Sequence, residues 1–361
     1  MKNAVILGAS GYTGAEAVRL IMGHPKLKLV GLTGHSKAGQ AYGEIYPNYR
    51  HLDLPDVVKA DEIDWTGVDV AFACLPHGAS QETIAGVVDN VDTIVDLSAD
   101  FRLKDPALYE ATYGRPHGFH DLLGTAVYGL TEYAREDLKG AKLIACPGCY
   151  PTCTLLALLP AVDADMIDVT DIIIDAKSGV TGAGRKALAS LSFSEVADGA
   201  HAYGVGTHRH APEIDQMLTH MSGIEAEVSF TPHLIPMNRG MIATCYVKLG
   251  EGVSLEDLRA VYEARYEDEA FVHVEAAGVV PQTRHIRASN HCRIGIFADR
   301  RAGRAIIIGV IDNLTKGSSG QALQNYNVTQ GWDEFGASCA TRLPIADFLG
   351  DLCRDFAHIL F

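Results

Sequence analysis

The sequence lacks a long apolar run. No stretch of its 361 residues approaches the roughly 18 consecutive apolar residues that a membrane-spanning helix needs, so we predict no membrane partner. The short apolar run after Met1 is interrupted by glycine where the cleavage region of a signal peptide would begin, and we interpret it as a buried strand. Internal repeats and low-complexity segments are also missing, which favours a globular chain of about two domains.

Positive charge is in deficit. Lysine and arginine number 30 against 45 aspartates and glutamates, and the net charge of −15 opposes binding to nucleic acid or to an anionic membrane surface. An anionic ligand would therefore need a local basic cleft. The candidate basic residues for such a cleft are Lys37, Arg102, Lys177, Arg185, Arg209 and Lys316.

The cysteines form neither a disulfide pattern nor a zinc pattern. The chain is long for a disulfide-stabilised secreted domain, and Cys74 lies in an apolar strand-like run, so the 8 cysteines indicate reduced thiols and a cytoplasmic location. Cys146 and Cys149 form a C-x-x-C pair, but no second ligand pair follows at a suitable spacing. We expect no metal, and a zinc protein using this pair is retained as an alternative.

Strand and helix signals alternate in the first part of the chain. Together they predict an α/β fold with a Rossmann-type, doubly wound parallel sheet. The expected strands are 4–7, 27–32, 68–74, 93–97 and 142–145, and the expected helices are 12–22, 80–88 and one beginning near Cys149. Residues 48–64 and 109–123 are expected to be irregular.

The pattern changes after about residue 165. Longer strand candidates with few helices between them predict a second, α+β domain with a largely antiparallel sheet. The strand candidates are 169–175, 225–233, 241–249, 292–298 and 305–310, with helices at 254–266 and 320–327 and an apolar helical stretch at 348–361. We expect residues 1–148 with 313–361 to form one domain and residues 149–312 the other.

A glycine-rich turn lies between the first expected strand and the first expected helix. Glycine at such a turn lets the backbone approach a pyrophosphate, and the helix N-terminus offers unpaired N–H groups and a positive dipole end. The pattern is G-x-x-G-x-x-G, and its position favours dinucleotide binding over a merely tight turn. The residues expected to contact the dinucleotide are Gly8, Ser10, Gly11, Tyr12, Thr13 and Gly14.

The end of the second strand indicates which dinucleotide is bound. An NAD site usually has a carboxylate there for the ribose hydroxyl, about 20 residues after the glycines. This sequence instead has Ser36 and Lys37, a hydroxyl and an ammonium that suit the 2′-phosphate of NADP(H). We therefore expect NADP(H) as the cofactor.

Cys149 has the sequence context of a nucleophile. It follows an expected strand and the Pro147-Gly148 turn, and it precedes an apolar helix. The thiol would lie at the helix N-terminus, where the dipole favours the reactive thiolate and backbone N–H groups can stabilise an oxyanion. A buried structural cysteine is the usual alternative, and it suits Cys146, Cys153 and Cys245.

His208, Arg209 and His210 form the densest cluster of histidine and arginine in the chain, within a polar glycine-rich loop. Solvated surface histidines are the simpler interpretation. Two histidines flanking an arginine are also what an anionic substrate and a proton transfer require. A thiolate nucleophile needs an acid/base partner, and this cluster is the candidate.

Seven segments in order resemble the N-acetyl-gamma-glutamyl-phosphate reductase family, which is related to aspartate-semialdehyde dehydrogenase. The likeness extends from Met1 to about Asn327, and the tail beyond Gly331 does not align with the family pattern. The segments are 8–14 (GASGYTG), 96–103 (DLSADFRL), 128–132 (YGLTE), 146–152 (CPGCYPT), 177–185 (KSGVTGAGR), 208–214 (HRHAPEI) and 312–317 (DNLTKG).

The resemblance implies that Cys149 is the nucleophile and His208 the acid/base residue. The expected reaction is NADPH-dependent reduction of a small-molecule acyl phosphate, N-acetyl-γ-glutamyl phosphate, to its semialdehyde through a cysteine thioester, in arginine biosynthesis. An NADP-binding domain and a catalytic domain are implied, the latter pairing the chain into a homodimer or homotetramer. The residues implied near the nicotinamide are Ser178, Gly179 and Asn313, and those expected at the substrate are Arg102, Arg209, His210 and Glu213.

Two other functions stay open at this point. An aminoadipyl phosphate reductase of lysine biosynthesis would share the scaffold, and its substrate differs by one methylene and by a carrier protein in place of acetyl. A non-catalytic dinucleotide sensor would need the glycine turn but neither Cys149 nor His208.

Overall fold

Two seven-stranded sheets organise the described part of the chain. The structure is a computed structural model, and it describes residues 1–336. The apolar helical stretch expected at 348–361, and the part of the first domain expected at 337–361, lie outside the described residues.

The first sheet is built from parallel strands. They are β1 (Lys2–Leu7), β2 (Leu27–Thr33), β3 (Val57–Val58), β4 (Val70–Ala73), β5 (Thr93–Asp96), β6 (Val127–Tyr128) and β7 (Leu143–Ala145). Their order is β3-β2-β1-β4-β5-β7-β6, and every pairing is parallel. All residues of β4 and β5 are buried, because central strands of a parallel sheet are covered on both faces.

The second sheet is mixed and mostly antiparallel. Its strands are β8 (Ile167–Gly179), β9 (His201–Ala202), β10 (Ser229–Ile235), β11 (Met241–Leu249), β12 (Val272–Val274), β13 (Cys292–Ala298) and β14 (Arg304–Ile311). Their order is β12-β13-β14-β11-β8-β10-β9, with parallel pairing only between β8 and β10 and between β12 and β13. Buried and half-exposed residues alternate along β11, so one face of this sheet is covered and the other is open.

The helices of residues 1–336 surround these sheets. They are α1 (Tyr12–Met22), α2 (Tyr42–Ile45), α3 (Ser80–Val87), α4 (Pro106–Tyr113), α5 (His120–Thr125), α6 (Thr131–Leu138), α7 (Cys149–Asp163), α8 (Phe193–Val196), α9 (Ala211–Ser222), α10 (Leu255–Tyr266) and α11 (Gly320–Thr329). No helix of the described chain is long and apolar enough to cross a membrane.

Helix α7 joins the two sheets. Three residues separate it from the end of β7 of the first sheet, and it packs against β11 and β14 of the second sheet and against α9 and α10. Every residue from Tyr150 to Val162 is buried. A helix that is apolar on all sides has to be covered on all sides, and this requirement places the start of α7 at the junction between the domains.

The expected fold class is confirmed, including the parallel first sheet and the largely antiparallel second sheet. The expectation that 109–123 is irregular is wrong in part, because this region contains the end of α4 and most of α5. Its helix signals were present in the sequence: the Asp105 side chain accepts a hydrogen bond from the Ala107 N–H, and Gly114 ends α4 in the left-handed conformation.

A buried ion pair connects the end of the second sheet to the first domain. Lys316 Nζ lies 2.6 Å from Glu132 Oε1 of α6 and 2.8 Å from Gln324 Oε1 of α11. Neither charged side chain of the pair has any exposed surface. Lys316 therefore contributes no free charge to a cleft, contrary to its candidacy from the sequence, and instead holds the turn Thr315–Ser319 in place.

Replacing Lys316 by methionine is expected to destabilise the protein by about 3–5 kcal/mol, because the Glu132 carboxylate would be left buried without a counter-charge. The measurement is the urea midpoint followed by circular dichroism. Lys139→Met is the control, since Lys139 and its partner Glu136 are 61% and 83% exposed and such pairs contribute little. Equal, small shifts for both variants would contradict the importance of the buried pair.

Candidate active site

Cys149 is the first residue of α7. Gly148 precedes it in an extended conformation, and the first helical hydrogen bond runs from the Thr152 N–H to the Gly148 carbonyl oxygen at 2.8 Å. The Cys149 side chain is half-buried, whereas Tyr150 next to it is buried. The structure therefore places the thiol at a helix N-terminus, as the sequence predicts.

Glu213 of α9 fixes the turn in front of Cys149. Its Oε1 accepts hydrogen bonds from the Gly148 N–H at 2.8 Å and from the Tyr128 hydroxyl at 2.9 Å, and its Oε2 lies 3.4 Å from Arg102 Nη1. The Glu213 side chain has no exposed surface. In this structure the Glu213 carboxylate is occupied by the protein and positions Gly148, and its expected contact with substrate stays a prediction.

Arg102 is also committed to the protein. Its Nε donates to the Cys146 carbonyl oxygen at 2.7 Å and its Nη2 to the Leu97 carbonyl oxygen at 3.1 Å, and its side chain is only 8% exposed. A Cβ atom on Gly148 would lie 2.9 Å from Arg102 Nη1 and 2.5 Å from His210 Nε2, so only glycine fits in front of the thiol. Any substrate contact from Arg102 is thus restricted to Nη1.

The Cys149 thiol is protonated at neutral pH in the free protein. Burial raises the pKa of the Cys149 thiol to about 11, and the opposing effects of Arg102 and of the N–H groups of Tyr150 and Cys149 are smaller. Burial thus opposes the thiolate that the helix N-terminus was expected to favour. Burial raises the pKa of the other described thiols further, to about 12 for Cys146, Cys245 and Cys292 and still more for Cys74 and Cys153.

His208 and His210 lie beside Tyr150, at the end of the loop before α9. Their ring centroids are 5.7 and 5.9 Å from the Tyr150 ring and 4.8 Å from each other. Burial, with the Arg209 charge, lowers the pKa of His208 to about 4, and burial lowers the pKa of His210 well below its usual value, so both rings are neutral at pH 7. The His210 N–H donates to His208 Nδ1 at 3.2 Å, which leaves the ring proton of His208 on Nε2.

Arg209 lies between the two histidines in the chain. It is exposed, and within residues 1–336 it forms no hydrogen bond or ion pair. Burial is the main cause of the shifted pKa values of His77 and Tyr113, and the Arg209 charge acts on both. No sequence motif marks His77 or Tyr113, and Tyr113 lies in the region 109–123 that was expected to be irregular.

The glycine-rich turn has the geometry expected for a dinucleotide site. Gly8 has a φ of 83°, and a Cβ atom there would lie 2.5 Å from the Cys74 carbonyl oxygen. A Cβ atom on Gly14 would lie 2.6 Å from the Gly8 carbonyl oxygen, so glycine allows α1 to pack on the turn. Gly11 immediately precedes α1, whose first two residues are Tyr12 and Thr13.

The end of β2 adjoins this turn. A Cβ atom on Gly34 would lie 3.5 Å from Ser10 Oγ and 3.7 Å from Lys37 Cβ, so both side chains flank one glycine. Ser36 is exposed and Lys37 half-exposed at the same edge, with no carboxylate in the segment between Thr33 and Lys37. These residues fit the additional phosphate of NADP(H).

Arg185 reaches the glycine-rich turn from the second domain. Its Nη1 donates to the Ser10 carbonyl oxygen at 2.9 Å, and its guanidinium lies 4.5 Å from the centroid of the Tyr46 ring. The Tyr46 hydroxyl donates to the same Ser10 carbonyl oxygen at 3.0 Å. A segment that follows β8 thus supplies a cation at the nucleotide turn.

Ser178, Gly179 and Asn313 come together at the end of β8. Asn313 Oδ1 accepts from the Gly240 N–H at 2.8 Å, and Asn313 Nδ2 donates to Thr181 Oγ1 at 3.0 Å. Ser178 Oγ donates to the Gly179 carbonyl oxygen at 3.1 Å. The Asn313 amide therefore holds the turn after β8 in place through both of its polar atoms.

The turn Thr315–Ser319 unites the nucleotide turn with the thiol. A Cβ atom on Gly317 would lie 2.8 Å from Cys149 Cβ, so Gly317 packs directly against Cys149. Ser319 Oγ donates to the Thr13 carbonyl oxygen in the first turn of α1 at 2.8 Å. One short segment contacts both places, and the thiol and the glycine-rich turn therefore belong to one site.

Two further residues considered from the sequence, Lys177 and Cys146, are each engaged with another side chain of the protein. Lys177 Nζ is paired with Asp175 Oδ2 at 2.6 Å on β8. Cys146 is buried, and its Sγ accepts from Asn325 Nδ2 at 3.6 Å. Within residues 1–336, no group of three or more His, Cys, Asp or Glu side chains is arranged to hold a metal ion, so the zinc alternative has no ligand set there.

The fold and the site define a two-domain dehydrogenase with a dinucleotide-binding domain and a cysteine at the domain junction. Two family models match the chain accordingly. The model described as semialdehyde dehydrogenase, NAD binding domain, matches residues 3–141, and the model described as semialdehyde dehydrogenase, dimerisation domain, matches residues 149–313.

Curated relatives narrow the family further. A Rhodospirillum rubrum protein named N-acetyl-gamma-glutamyl-phosphate reductase is 50% identical over 336 residues, covering 92% of this chain and 96% of the relative. An Arabidopsis thaliana protein named "Probable N-acetyl-gamma-glutamyl-phosphate reductase, chloroplastic" is 52% identical over 329 residues, covering 91% of this chain and 82% of the relative. The chain belongs to the N-acetyl-gamma-glutamyl-phosphate reductase family.

Solved structures of more distant proteins share the fold. Aspartate semialdehyde dehydrogenase II from Vibrio cholerae matches with a TM-score of 0.69 at 16% identity, over 92% of this chain and 98% of that one. The Candida albicans aspartate semialdehyde dehydrogenase with NADP matches with a TM-score of 0.64 at 16% identity, over 91% and 98% of the two chains.

Alkylation of Cys149 by iodoacetamide is expected to accelerate about tenfold per pH unit from pH 7 to pH 10, because only the thiolate reacts and burial raises the thiol pKa to about 11. Peptide mapping by mass spectrometry measures the rate. Cys245, which has no exposed surface, is the internal control that should stay unlabelled in the folded protein. A rate that reaches its plateau below pH 8 would show a preformed thiolate.

Proposed function

We propose that this protein catalyses the NADPH-dependent reduction of N-acetyl-γ-glutamyl phosphate to N-acetylglutamate semialdehyde in arginine biosynthesis, through a thioester on Cys149. The observation that carries the proposal is the contact of the turn Thr315–Ser319 with both Cys149 and the start of α1, which puts an accessible thiol and a nucleotide turn in one site. The names of relatives about half identical over nine tenths of the chain support the substrate.

In the first half of the reaction, the Cys149 sulfur attacks the acyl carbon. The S–C bond forms, the C–O bond to phosphate breaks, and the thiol proton ends on the departing phosphate. The N–H groups of Cys149 and Tyr150 at the helix N-terminus stabilise the negative charge that develops. A thiol pKa of about 11 means that deprotonation accompanies attack rather than preceding it.

In the second half, the thioester is reduced and the aldehyde leaves. Bound NADPH supplies the hydride to the thioester carbon. His208, neutral and protonated on Nε2, donates a hydrogen bond to the oxygen as its charge develops. The C–S bond then breaks, the aldehyde departs, and a proton from solvent restores the thiol, so that the site is ready for the next turnover.

The assignment of roles to the two domains follows from the same chemistry. We assign nucleotide binding to residues 1–148 with 313–361 and catalysis and oligomerisation to residues 149–312. Ser36 and Lys37 bind the 2′-phosphate of NADPH, and the exposed Arg209 and the Nη1 edge of Arg102 attract the anionic substrate. All six described cysteines are free thiols, which supports a reducing, cytoplasmic location.

The direct test is a coupled assay in the reverse direction. NADP⁺ reduction is expected with N-acetylglutamate semialdehyde and phosphate together, much less with NAD⁺, and not with aspartate semialdehyde. Cys149→Ser is expected to lower kcat by about 1000-fold or more, because the nucleophile is lost, while NADPH binding measured by fluorescence titration is unchanged. Turnover by the serine variant near that of the wild type would reject the thioester route.

The open face of the second sheet supports a homodimer or a homotetramer. A row of apolar side chains crosses four neighbouring strands on this face: Ile173, Tyr246, Ile306 and Phe297 are paired in register on β8, β11, β14 and β13. Ile173 is 44% exposed, and the other three are half-exposed. We infer that this row is covered by a second copy of the chain, since such a patch on a sheet otherwise favours association.

Ile173→Glu is expected to dissociate the assembly, because the new carboxylate would have to be desolvated at the interface. Sedimentation velocity should show a species near the chain mass of 38.8 kDa for this variant and a multiple of it for the wild type. Ile224→Glu is the matched control, since Ile224 is 52% exposed but lies outside the sheet. If Ile173→Glu sediments as the wild type does, this face of the second sheet is not the interface.

A further inference from the structure

The hydroxyl of Tyr113, the last residue of α4, is a buried donor without a partner. Its oxygen is buried, and it has no hydrogen-bond partner within residues 1–336. Native proteins leave few buried polar groups unpaired, because removing a hydroxyl from water without replacing its hydrogen bonds is costly. A bound ligand would supply the hydrogen-bond partner that the Tyr113 hydroxyl lacks among residues 1–336.

A neighbouring tyrosine shows the contrast. Tyr109 lies one helical turn before Tyr113, with the ring centroids 4.8 Å apart. The Tyr109 hydroxyl donates to Asp100 Oδ1 at 2.9 Å and accepts from Gln81 Nε2 at 2.9 Å. Of two adjacent tyrosines on one helix, one is thus fully used by the fold and the other is not.

The surroundings of Tyr113 are suited to an anion. Burial raises the pKa of Tyr113 to about 12 and Glu213 adds to this rise, while the charges of Arg102 and Arg209 oppose it. The phenol therefore keeps its proton at neutral pH, and its O–H group can donate a hydrogen bond to an acceptor. Two guanidinium groups are close enough to act on the phenol.

Arg209 is the more accessible of these two arginines. Arg102 is 8% exposed and is held by Cys146, Leu97 and Glu213. Arg209 is exposed and has no hydrogen bond or ion pair with any described residue. The Tyr113 hydroxyl and Arg209 are therefore a neutral donor and a cation without a hydrogen-bond partner among residues 1–336. Arg102, whose charge acts on the same phenol, reaches the turn before Cys149, since a Cβ atom on Gly148 would lie 2.9 Å from Arg102 Nη1.

We propose that Tyr113 and Arg209 together bind an anionic oxygen of the acyl phosphate substrate. The inference rests on the proposed function and deepens it by adding a substrate residue that the sequence did not indicate. The substrate carries such oxygens on its phosphate and on its α-carboxylate, and both offer the same chemistry to a phenol and a guanidinium.

The reverse reaction separates the two sources, because phosphate and N-acetylglutamate semialdehyde are then different molecules with separate KM values. Tyr113→Phe removes only the hydroxyl and is expected to raise one of these KM values about tenfold or more, as loss of a hydrogen bond to a charged group does. A raised KM for phosphate assigns the phosphate, and a raised KM for the semialdehyde assigns the carboxylate. The KM for NADP⁺ and the thermal midpoint should not worsen.

Tyr109→Phe is the matched control. It removes a hydroxyl that bridges Asp100 and Gln81, so it should lower the thermal midpoint and leave both substrate KM values unchanged. If Tyr113→Phe instead behaves like Tyr109→Phe, or changes neither KM value by more than about twofold, the proposal is overturned.

A binding measurement keeps the inference separate from the reaction. Inorganic phosphate and N-acetylglutamate are used as probes, and one of them should raise the thermal midpoint of the wild type but not that of Tyr113→Phe. An inactive wild type that still shows this difference would reject the proposed function and keep the anion site. An active wild type whose midpoint responds to the probes as that of Tyr113→Phe does would reject the anion site alone.

Discussion

The hydrogen bond from the Gly148 N–H to the Glu213 carboxylate is the interaction on which the site depends. Gly148 has no side chain with which to cap α7, and a side chain there would collide with Arg102 and His210. The cap is therefore supplied from another helix, by a carboxylate that is fully buried and shared with Tyr128. The result is that α9, α7 and the loop after β5 are held in one arrangement around the thiol.

This arrangement has an electrostatic cost that shapes the chemistry. A negative charge near a helix N-terminus stabilises the helix, but Glu213 also opposes ionisation of Cys149. Arg102 favours the thiolate more strongly than Glu213 opposes it, and burial of the thiol exceeds both effects and raises its pKa. Both neighbouring imidazoles are neutral as well. The free enzyme therefore keeps a thiol rather than a thiolate–imidazolium pair, and a thiol resists oxidation better because oxidants attack the thiolate.

Local features of the fold could be predicted from the sequence, and features that depend on distant contacts could not. The bounds of α1, β11 and β13 match the prediction because apolar periodicity and glycine are short-range signals. Lys316 and Glu132, by contrast, are 184 residues apart in the chain, and nothing near either residue indicates that they pair in the core. Lys316 was for that reason a candidate for the basic cleft, whereas the structure places it in the core.

The same distinction applies to the candidate site. The position of Cys149 at a helix N-terminus follows from the strand, the Pro-Gly turn and the apolar helix around it. Its ionisation state does not, because burial by the surrounding protein exceeds the local dipole effect. The folded chain supplies hydrogen-bond partners to Glu213 but none among residues 1–336 to the Tyr113 hydroxyl, and this difference depends on tertiary contacts that no sequence pattern shows.

The Arg185 contact bears on how such a protein can evolve. A residue of one domain bonds to the backbone of the nucleotide turn in the other, and the chain returns to the first domain through the turn that touches Cys149. The two domains are consequently not interchangeable modules. Recombination that joins the first domain of one homologue to the second of another must preserve both the Arg185 contact and the contact of the returning turn with Cys149. We therefore expect this family to diversify by point substitution rather than by domain shuffling.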